Sequence, residues 1–247
     1  ARMTVAYDGR AFAGFAPNVG VRTVAGTLTW ALGRQLRHPV RLTGAGRTDA
    51  GVHAWGQVVT FLTPAAGFDP GAVQRSLNAL CRPAIVVREV GIAEPGFDAR
   101  RSARARRYRY TILNRRVPDP FLAATTWHVR PPLDLAALRQ AADPLVGRHD
   151  FTSLCRRPRV GPDGSVSLVR TVLAARWVDL GAGLLRFDIE ATAFCHQMVR
   201  TIVGTLVDVG RGRRKAAEML GIIRAQDRSL ASDLAPAHGL CLWEVVY

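Results

Sequence analysis

The stretch GAGRTDAGVHA, residues 44–54, places one carboxylate, Asp49, two residues after Arg47 and four before His53. Glycines at 44, 46 and 51 surround the acid, and the chain carries far more basic than acidic residues. An anionic partner is therefore expected, and an acid in such a loop needs a reason. Three interpretations of Asp49 are open from the residues alone: the cap of a turn, a metal ligand, or a catalytic carboxylate.

Each interpretation of Asp49 makes a different demand on its neighbours. As a cap, Asp49 accepts hydrogen bonds from the backbone amides that follow it and pairs with Arg47. As a metal ligand it has only His53 nearby in sequence, so no metal site is indicated. As a catalytic group, it would be held ionised by Arg47 in a semi-buried cleft, and such a carboxylate can act as a nucleophile or base. Flexible glycines would let a large ligand approach.

A second candidate is ARRSARARRYRY, residues 99–110, which contains six arginines, two tyrosines and no acid. In a strand, Tyr108 and Tyr110 face one side while Arg107 and Arg109 face the other. Tyrosine rings beside arginines suit stacking on a base and binding of its phosphates. A solvated charged face is the alternative.

A third candidate is FCHQMVR, residues 194–200, expected within a helix. Adjacent helical residues point in different directions, so Cys195 and His196 are not predicted to form a catalytic pair. His196 and Arg200, four residues apart, would share a face and present charge to a cleft. The alternative is a helix that packs Phe194 and Met198 into a core.

The elements that must position these residues follow from periodicity and from start and stop signals. The first half is predicted to be α+β, with Thr23 and Asp69 as helix N-caps. The second half is predicted to contain a helix disturbed by Pro144 and a long amphipathic helix ending at Gly210. The predicted strands are 3–9, 56–63, 84–92, 105–113, 168–179, 184–192 and 240–247, and the predicted helices are 22–38, 69–83, 134–147, 194–210 and 214–225.

One heptapeptide nearly repeats, since RTVAGTL at 22–28 returns as RTIVGTL at 200–206. The repeat suggests two copies of one α/β unit with a binding cleft between them. We therefore expect an N-terminal half over 1–104, which carries the Asp49 loop, and a C-terminal half over 105–247.

Charge and cysteine content narrow the class of protein. The chain has 247 residues, with 34 Lys and Arg against 19 Asp and Glu, a net charge of +15, and Lys215 is its only lysine. This excess favours a nucleic-acid partner. The four cysteines form no CxxC pair, so neither a disulfide framework nor a zinc site is indicated. No apolar run is long enough to span a bilayer, and a cytoplasmic protein is expected.

Taken together, these motifs identify a resemblance that runs nearly end to end: the chain resembles the TruA-type tRNA pseudouridine synthases. The segment GRTDAGVH is highly specific to that family. The matching stretches are YDG (7–9), RTV (22–24), AGRTDAGVHA (45–54), GQVV (56–59), LNAL (77–80), FDARRSARARRYRY (97–110), GRHDFTS (147–153), FCHQMVRTIVG (194–204) and APAHGL (235–240). The resemblance implies a pseudouridine synthase fold, with two similar α/β halves around a central, mostly antiparallel sheet.

The resemblance also implies an activity and a set of roles. The enzyme would isomerise uridine to pseudouridine in the tRNA anticodon arm, at positions 38 to 40, as a homodimer that needs no cofactor or metal. Asp49 would be the essential carboxylate, acting by covalent attack or by removal of a sugar proton. Arg47 would pair with Asp49 and help to flip the base. Tyr108 would pack on the uracil, Arg200 would pair with the acid, and Leu242 would be an apolar wall.

Three places depart from the family pattern. GFAPN at 14–18 replaces the usual GWQ, Asp98 stands where a histidine is common, and CRRPRVGPDGS at 155–165 is a variable loop. These departures concern contacts to RNA and the choice of tRNA. The rival function is a non-catalytic tRNA-binding protein or chaperone on the same fold, which would keep the arginines and could lose Asp49. A phosphate-handling hydrolase lacks support because the sequence has no P-loop.

Overall fold

The computed structural model describes residues 1–64, 66–156 and 166–247. Of the variable loop at 155–165, only the first two residues lie in these ranges. The strands are β1 Arg2–Tyr7, β2 Leu42–Gly44, β3 His53–Phe61, β4 Ile85–Gly91, β5 Ala105–Leu113, β6 Trp127–His128, β7 Gly147–Asp150, β8 Val169–Gly181, β9 Leu184–Ala191 and β10 Leu240–Val246. The α-helices are α1 Val24–Leu36, α2 Pro70–Cys81, α3 Leu135–Ala142, α4 Met198–Gly210 and α5 Glu218–Ala225.

The chain divides into two compact units, residues 1–104 with 241–247 and residues 105–240. The division after residue 104 coincides with the expected boundary, but residues 241–247, expected in the C-terminal half, lie in the first unit. The reason is strand pairing: β10 runs parallel to β3, with Cys241 opposite His53 and Leu242 opposite Ala54. The contact is close, because a Cβ added at Gly56 would lie 2.4 Å from the carbonyl oxygen of Trp243.

In the first unit the strands are ordered β4-β1-β3-β10, and β2 pairs with β3. The β4–β1, β1–β3 and β2–β3 pairs are antiparallel. Both predicted N-caps are confirmed: Thr23 accepts from the Gly26 amide at 3.2 Å, and Asp69 accepts from the Ala72 amide at 3.0 Å. Spacing of four residues predicts that Val24, Leu28, Leu32 and Leu36 share the apolar face of α1, and the first three are buried whereas Leu36 is only partly buried.

In the second unit the strands are ordered β5-β9-β8-β7, all antiparallel, and β6 runs parallel to β5. The inner face of this sheet is aromatic and aliphatic, with Tyr110 opposite Phe187 and Tyr108 opposite Ile189. All four of these residues are buried. The core continues into α4, whose Met198, Ile202 and Leu206 are fully buried. Both units are thus α+β with mostly antiparallel sheets, as predicted.

Three predicted helices begin or end several residues from their predicted bounds, and the one predicted over 214–225 begins only at Glu218. The helix predicted over 134–147 ends at Ala142 and passes into a 3₁₀ turn over Asp143–Leu145, because Pro144 cannot donate a helical hydrogen bond. The short polar strand β7, GRHD, has no apolar alternation and was not predicted. The helix predicted over 194–210 begins only at Met198, since its N-cap Gln197 adopts the left-handed conformation with φ of 64°.

The late start of α4 corrects one expectation about charge. His196 precedes the helix, so it does not share a helical face with Arg200. Its carbonyl instead accepts a hydrogen bond from the Arg156 amide at 3.0 Å. The repeated heptapeptides also occupy different places: Thr23 caps α1, whereas RTIVGTL begins at the third residue of α4.

Candidate active site

The loop that carries Asp49 links β2 to β3 and is closed at both ends. The Ala45 amide donates to the Val58 carbonyl at 2.8 Å, and the Val52 amide donates to the Asp49 carbonyl at 3.1 Å. Gly51 has φ of +80°, a conformation that favours glycine. Asp49 is half-buried and Arg47 is exposed. The acid therefore sits on a tight turn rather than on a loose glycine-rich segment.

Thr48, directly before Asp49, anchors this turn to the first strand. Its side chain is buried, and its hydroxyl lies 2.8 Å from the hydroxyl of Tyr7. Burial raises the pKa of Tyr7, which keeps the phenol neutral. The Thr48 carbonyl also accepts from the Phe15 amide at 3.0 Å. Two separate segments thus hold the residue next to the carboxylate.

A buried glutamine supports the loop from β3. Gln57 is fully buried, and its Nε2 donates to the Gly46 carbonyl at 2.8 Å and lies 3.4 Å from the Tyr7 hydroxyl. A buried amide with such partners fixes backbone position, because breaking the contact leaves polar groups unsatisfied. Gln57 and Tyr7 together fix the Gly46–Thr48 backbone.

Close backbone approach explains the glycine of the GFAPN departure. Gly14 has φ of +105°, and a Cβ there would lie 3.2 Å from the Thr48 carbonyl oxygen. The next residue, Phe15, is buried. Gly14 and Phe15, the first two residues of the GFAPN segment, therefore support the Asp49 loop.

Asp8 and His53 lie next to the loop and make hydrogen bonds to Arg10 and Gly9. Asp8 binds the Arg10 guanidinium, with Arg10 Nη2 2.6 Å from Oδ2, and these hydrogen bonds lower the pKa of Asp8. The Gly9 amide donates to His53 Nδ1 at 3.2 Å, so the neutral ring carries its proton on Nε2. Asp8 Oδ1 lies 3.3 Å from the same nitrogen, and this contact is an ion pair only when the ring is protonated. Among the described residues, no cluster of three or more metal-ligating side chains is present.

Tyr108 lies on the inner face of the second unit's sheet, as predicted from the alternation in β5. Its ring is 8% exposed and meets the edge of Phe194, with centroids 5.0 Å apart and planes at 83°. Phe194 belongs to the segment before α4. An aromatic pair held edge to face presents a rigid apolar wall, against which a planar base can pack.

Arg107 and Arg109 face the other side of the sheet, as predicted, but they are paired with acids. Arg107 Nε lies 2.8 Å from Glu190 Oε2, and Arg109 Nε lies 3.5 Å from Asp188 Oδ1. Both acids come from β9, directly across from the arginines. The acid-free appearance of residues 99–110 was therefore misleading, because the neutralising charges arrive by strand pairing.

Arg200 lies in the first turn of α4 and is half-buried. Its Nε donates to the Ala235 carbonyl at 2.8 Å, and its own carbonyl accepts from the Ala235 amide at 3.2 Å. The hydroxyl of Tyr110 donates to the carbonyl of Pro236 at 2.8 Å. The APAHGL segment thus orients Arg200 against the second unit's core.

Leu242 is fully buried in β10, opposite Ala54 at the start of β3. The structure places Asp49, Arg47 and Leu242 in the first unit. It places Tyr108, Arg107, Arg109 and Arg200 in the second. Residue types alone do not indicate Tyr7 and Gln57 as supports of the loop, although the YDG and GQVV matches contain both.

Comparisons with known proteins give the family. The family model described as "tRNA pseudouridine synthase" matches residues 141–247. A Brevibacillus brevis protein named tRNA pseudouridine synthase A is 42% identical over all of this chain and 98% of its own length. Proteins of the same name from Frankia casuarinae and Bacillus subtilis are 43% and 38% identical over the whole chain, covering 88% and 98% of those proteins. The chain belongs to the tRNA pseudouridine synthase family.

The family assignment rests on these full-length relatives rather than on solved structures. The crystal structure of a Cbf5-Nop10-Gar1 complex matches with a TM-score of 0.34 and 14% identity, covering 84% of this chain and 45% of that one. A TM-score below 0.5 supports no closer comparison. No helix in the described ranges is both long enough and apolar enough to cross a membrane.

Proposed function

We propose that this member of the tRNA pseudouridine synthase family isomerises uridine to pseudouridine in the tRNA anticodon arm, at positions 38 to 40. The observation that carries the proposal is Asp49 on a turn fixed by the Thr48–Tyr7 and Gln57–Gly46 contacts. Such bracing suits a carboxylate that must meet a sugar in one orientation. A capping acid would need no support from two other segments.

The reaction breaks the N1–C1′ bond of uridine, rotates the base and joins C5 to C1′, with the C5 proton lost to solvent and a proton gained at N1. The product has the composition of the substrate, so no oxidant, reductant or external group is required. Asp49 either attacks the nucleoside or removes a sugar proton to form a glycal. Both routes require the carboxylate in its ionised form.

In this proposal, which follows the family resemblance, the other candidate site residues present the base. Arg47, exposed beside Asp49, pairs with the acid and helps to displace the target base from its stack. Such flipping costs a few kcal/mol, which contacts in the pocket offset. Tyr108 packs on the uracil and is positioned by Phe194, and Leu242 supplies an apolar wall. Arg200, oriented by Ala235, pairs with the catalytic acid.

Arg107 and Arg109 contribute to binding RNA phosphates in this proposal, with their charge shared with Glu190 and Asp188. The protein is further proposed to act as a cytoplasmic homodimer in which one tRNA contacts both subunits. The role of these arginines and the cytoplasmic homodimer both rest on the resemblance to the family. Light scattering of the purified protein tests the oligomeric state.

The direct test uses an anticodon-arm RNA with tritium at C5 of the target uridine. The wild-type protein should release tritium to water, and Asp49→Asn should reduce release at least about a thousandfold while RNA binding persists. Asn keeps the size of the side chain and removes its charge, so the loop should remain folded. Release by wild-type protein no faster than by Asp49→Asn, with RNA still bound, would instead support the non-catalytic tRNA-binding protein.

A further inference from the structure

An open groove of about 510 Å³ lies at the end of β5, outside the candidate active site. Its volume falls in the range of about 300–1,000 Å³ typical of ligand sites. The groove is lined by Asn114, Arg115, Arg116, Arg130, Pro131 and Pro132. Three of its six lining residues are therefore arginines.

Hydrogen bonds fix the two walls of this groove relative to each other. Asn114 Nδ2 donates to the carbonyls of Val129 and Pro131, both at 2.7 Å, and its Oδ1 accepts from the Leu133 amide at 3.0 Å. His128 Nε2 lies 2.8 Å from the Arg115 carbonyl. The Asn114–Arg116 wall is thus tied to the Val129–Leu133 wall at several points, and the groove exists before any ligand arrives.

The arginines of the groove are only partly neutralised. Arg115 is engaged, with Nη1 3.8 Å from Asp119 Oδ2 and Nε hydrogen-bonded to the Ala182 carbonyl. Arg116 and Arg130 are exposed, and neither makes a hydrogen bond or ion pair with any residue that the structure describes. Like charges held together on a braced concave surface repel each other, and an anion relieves that repulsion.

Two further arginines lie beyond the groove. Arg211 packs over Trp127, with its guanidinium 5.7 Å from the ring centroid, but its side chain is only 19% exposed and lies 3.9 Å from Asp208. The Asp134 amide donates to the Gly210 carbonyl at 2.9 Å, which brings the turn after α4 next to the groove. Arg213 in that turn is mostly exposed, although Asp208 lies 3.4 Å away. An extended polyanion would therefore find Arg213 past the groove as a further exposed cation whose charge is shared with Asp208.

We propose that this groove binds phosphates of the tRNA body, outside the anticodon arm; the proposal rests on the proposed function. The groove begins at Asn114, directly after β5 and six residues after Tyr108, so it lies up to about 20 Å from Tyr108 at ~3.3 Å per residue. A duplex advances ~3.4 Å per base pair, so this distance corresponds to about six pairs. Phosphates bound here belong to tRNA beyond the anticodon stem when the target base packs on Tyr108.

The chemistry of the groove favours a phosphate backbone. Arginine binds phosphate oxygens with two parallel hydrogen bonds. The exposed guanidinium groups of Arg116 and Arg130 can bind in this way. The groove is open rather than enclosed, which suits a continuous strand better than a small molecule. Backbone contacts of this kind position RNA without reading its sequence.

The test compares a full-length tRNA with its isolated anticodon stem-loop. In R116A/R130A the Kd for tRNA, measured by filter binding, should rise about tenfold, and the ratio of Kd values for tRNA and stem-loop should rise by the same factor. Two lost phosphate contacts should also reduce the salt slope of log K for tRNA by about 1.4–1.8. The matched control R139A/R224A removes two arginines of α3 and α5 that are exposed and have no ion-pair partner among the described residues, and it should change neither quantity.

Equal weakening of tRNA and stem-loop binding, or the same behaviour in both double variants, would overturn the proposal. A change in the oligomeric mass of R116A/R130A with tRNA affinity intact would assign the groove to a second copy of the chain instead. R116K/R130K keeps the charge and should recover part of the affinity. Because Kd is measured without turnover, the result is distinct from failure of the proposed isomerase activity.

Discussion

The hydroxyl of Tyr7 is the most telling contact at the scale of single residues. It joins the end of β1 to Thr48, and Thr48 is bonded in the chain to Asp49. A neutral, buried phenol is a rigid support because it neither ionises nor exchanges with water. The position of the carboxylate thus depends on a residue more than forty positions away.

Tyr7→Phe should lower the free energy of unfolding by about 1–2 kcal/mol, because the Thr48 hydroxyl loses its partner in a buried site. It should also lower kcat as the Asp49 turn loosens. Urea denaturation and tritium release measure the two effects. Tyr247→Phe, which removes the hydrogen bond to the Ala99 carbonyl, is the matched control. A similar kcat loss in both variants would contradict the supporting role of Tyr7.

Asp8 gives a prediction for pH at the same scale. The Arg10 hydrogen bonds lower its pKa in the folded state, so its contribution to stability is present above the ordinary value of 3.8 and is lost as pH falls through the lowered value. The side chain is 38% exposed, so solvent screening keeps the contribution below about 1 kcal/mol. The Tm difference between wild type and Asp8→Asn should shrink below about pH 4. A constant difference would argue against this linkage.

At the scale of elements, the pairing of β5 with β9 determines how much charge the arginines offer. Arg107 lies directly across from Glu190, and Arg109 lies across from Asp188. Asp188 also binds Arg186 at 2.8 Å and Arg176 at 3.7 Å. The outer face of this sheet is therefore a mixed network with a positive excess rather than a row of unpaired cations.

Glu190→Gln should strengthen RNA binding, because it releases the Arg107 charge, whereas Arg107→Ala should weaken it and reduce the salt slope by less than the ~0.7–0.9 of one full phosphate contact. Filter binding across a salt series measures both. Unchanged affinity in both variants would remove this sheet face from the RNA interface.

Helix α4 illustrates close packing between elements. A Cβ added at Gly204 would lie 1.9 Å from the Asp233 carbonyl oxygen, so Gly204→Ala should destabilise the protein by roughly 2 kcal/mol or more through overpacking. Gly221 in α5 faces open space, and Gly221→Ala should stabilise by up to about 1 kcal/mol through helix propensity. Thermal unfolding of the two variants should show shifts of opposite sign, and shifts of the same sign would refute the packing argument.

At the scale of the whole molecule, the last strand of the chain belongs to the unit formed by the first 104 residues. Its side chains are interlocked with that unit: Trp243 stacks on Trp55 with centroids 5.8 Å apart, and Tyr247 meets Phe97 at 4.8 Å. The first unit therefore completes its fold only when the last residues have been made.

Removal of residues 241–247 should consequently destabilise the first unit. Amides of β3 should lose protection from hydrogen exchange, whereas those of β8 and β9 should keep most of theirs. Exchange measured by mass spectrometry on the full chain and the shortened chain provides the comparison. Loss confined to the second unit would show that the strand belongs there instead.

Local sequence predicted much of the fold and indicated the candidate site. The capping residues Thr23 and Asp69 and the apolar periodicity predicted α1 and α2, because those signals act between near neighbours. Alternation predicted that the tyrosines and arginines of β5 face opposite sides, and the GRTDAGVH segment indicated Asp49 as the candidate catalytic acid. The start of α4 was missed, because the left-handed Gln197 leaves no mark in hydrophobic periodicity.

Tertiary structure alone decided which distant residues meet. Nothing in the run 99–110 indicates that Glu190 and Asp188 lie opposite its arginines, that β10 returns to β3, or that Tyr7 holds Thr48. Such contacts depend on strand order and register, which bring together residues tens to hundreds of positions apart. Periodicity records only which way a side chain faces, and the partner on that face is settled when the sheet forms.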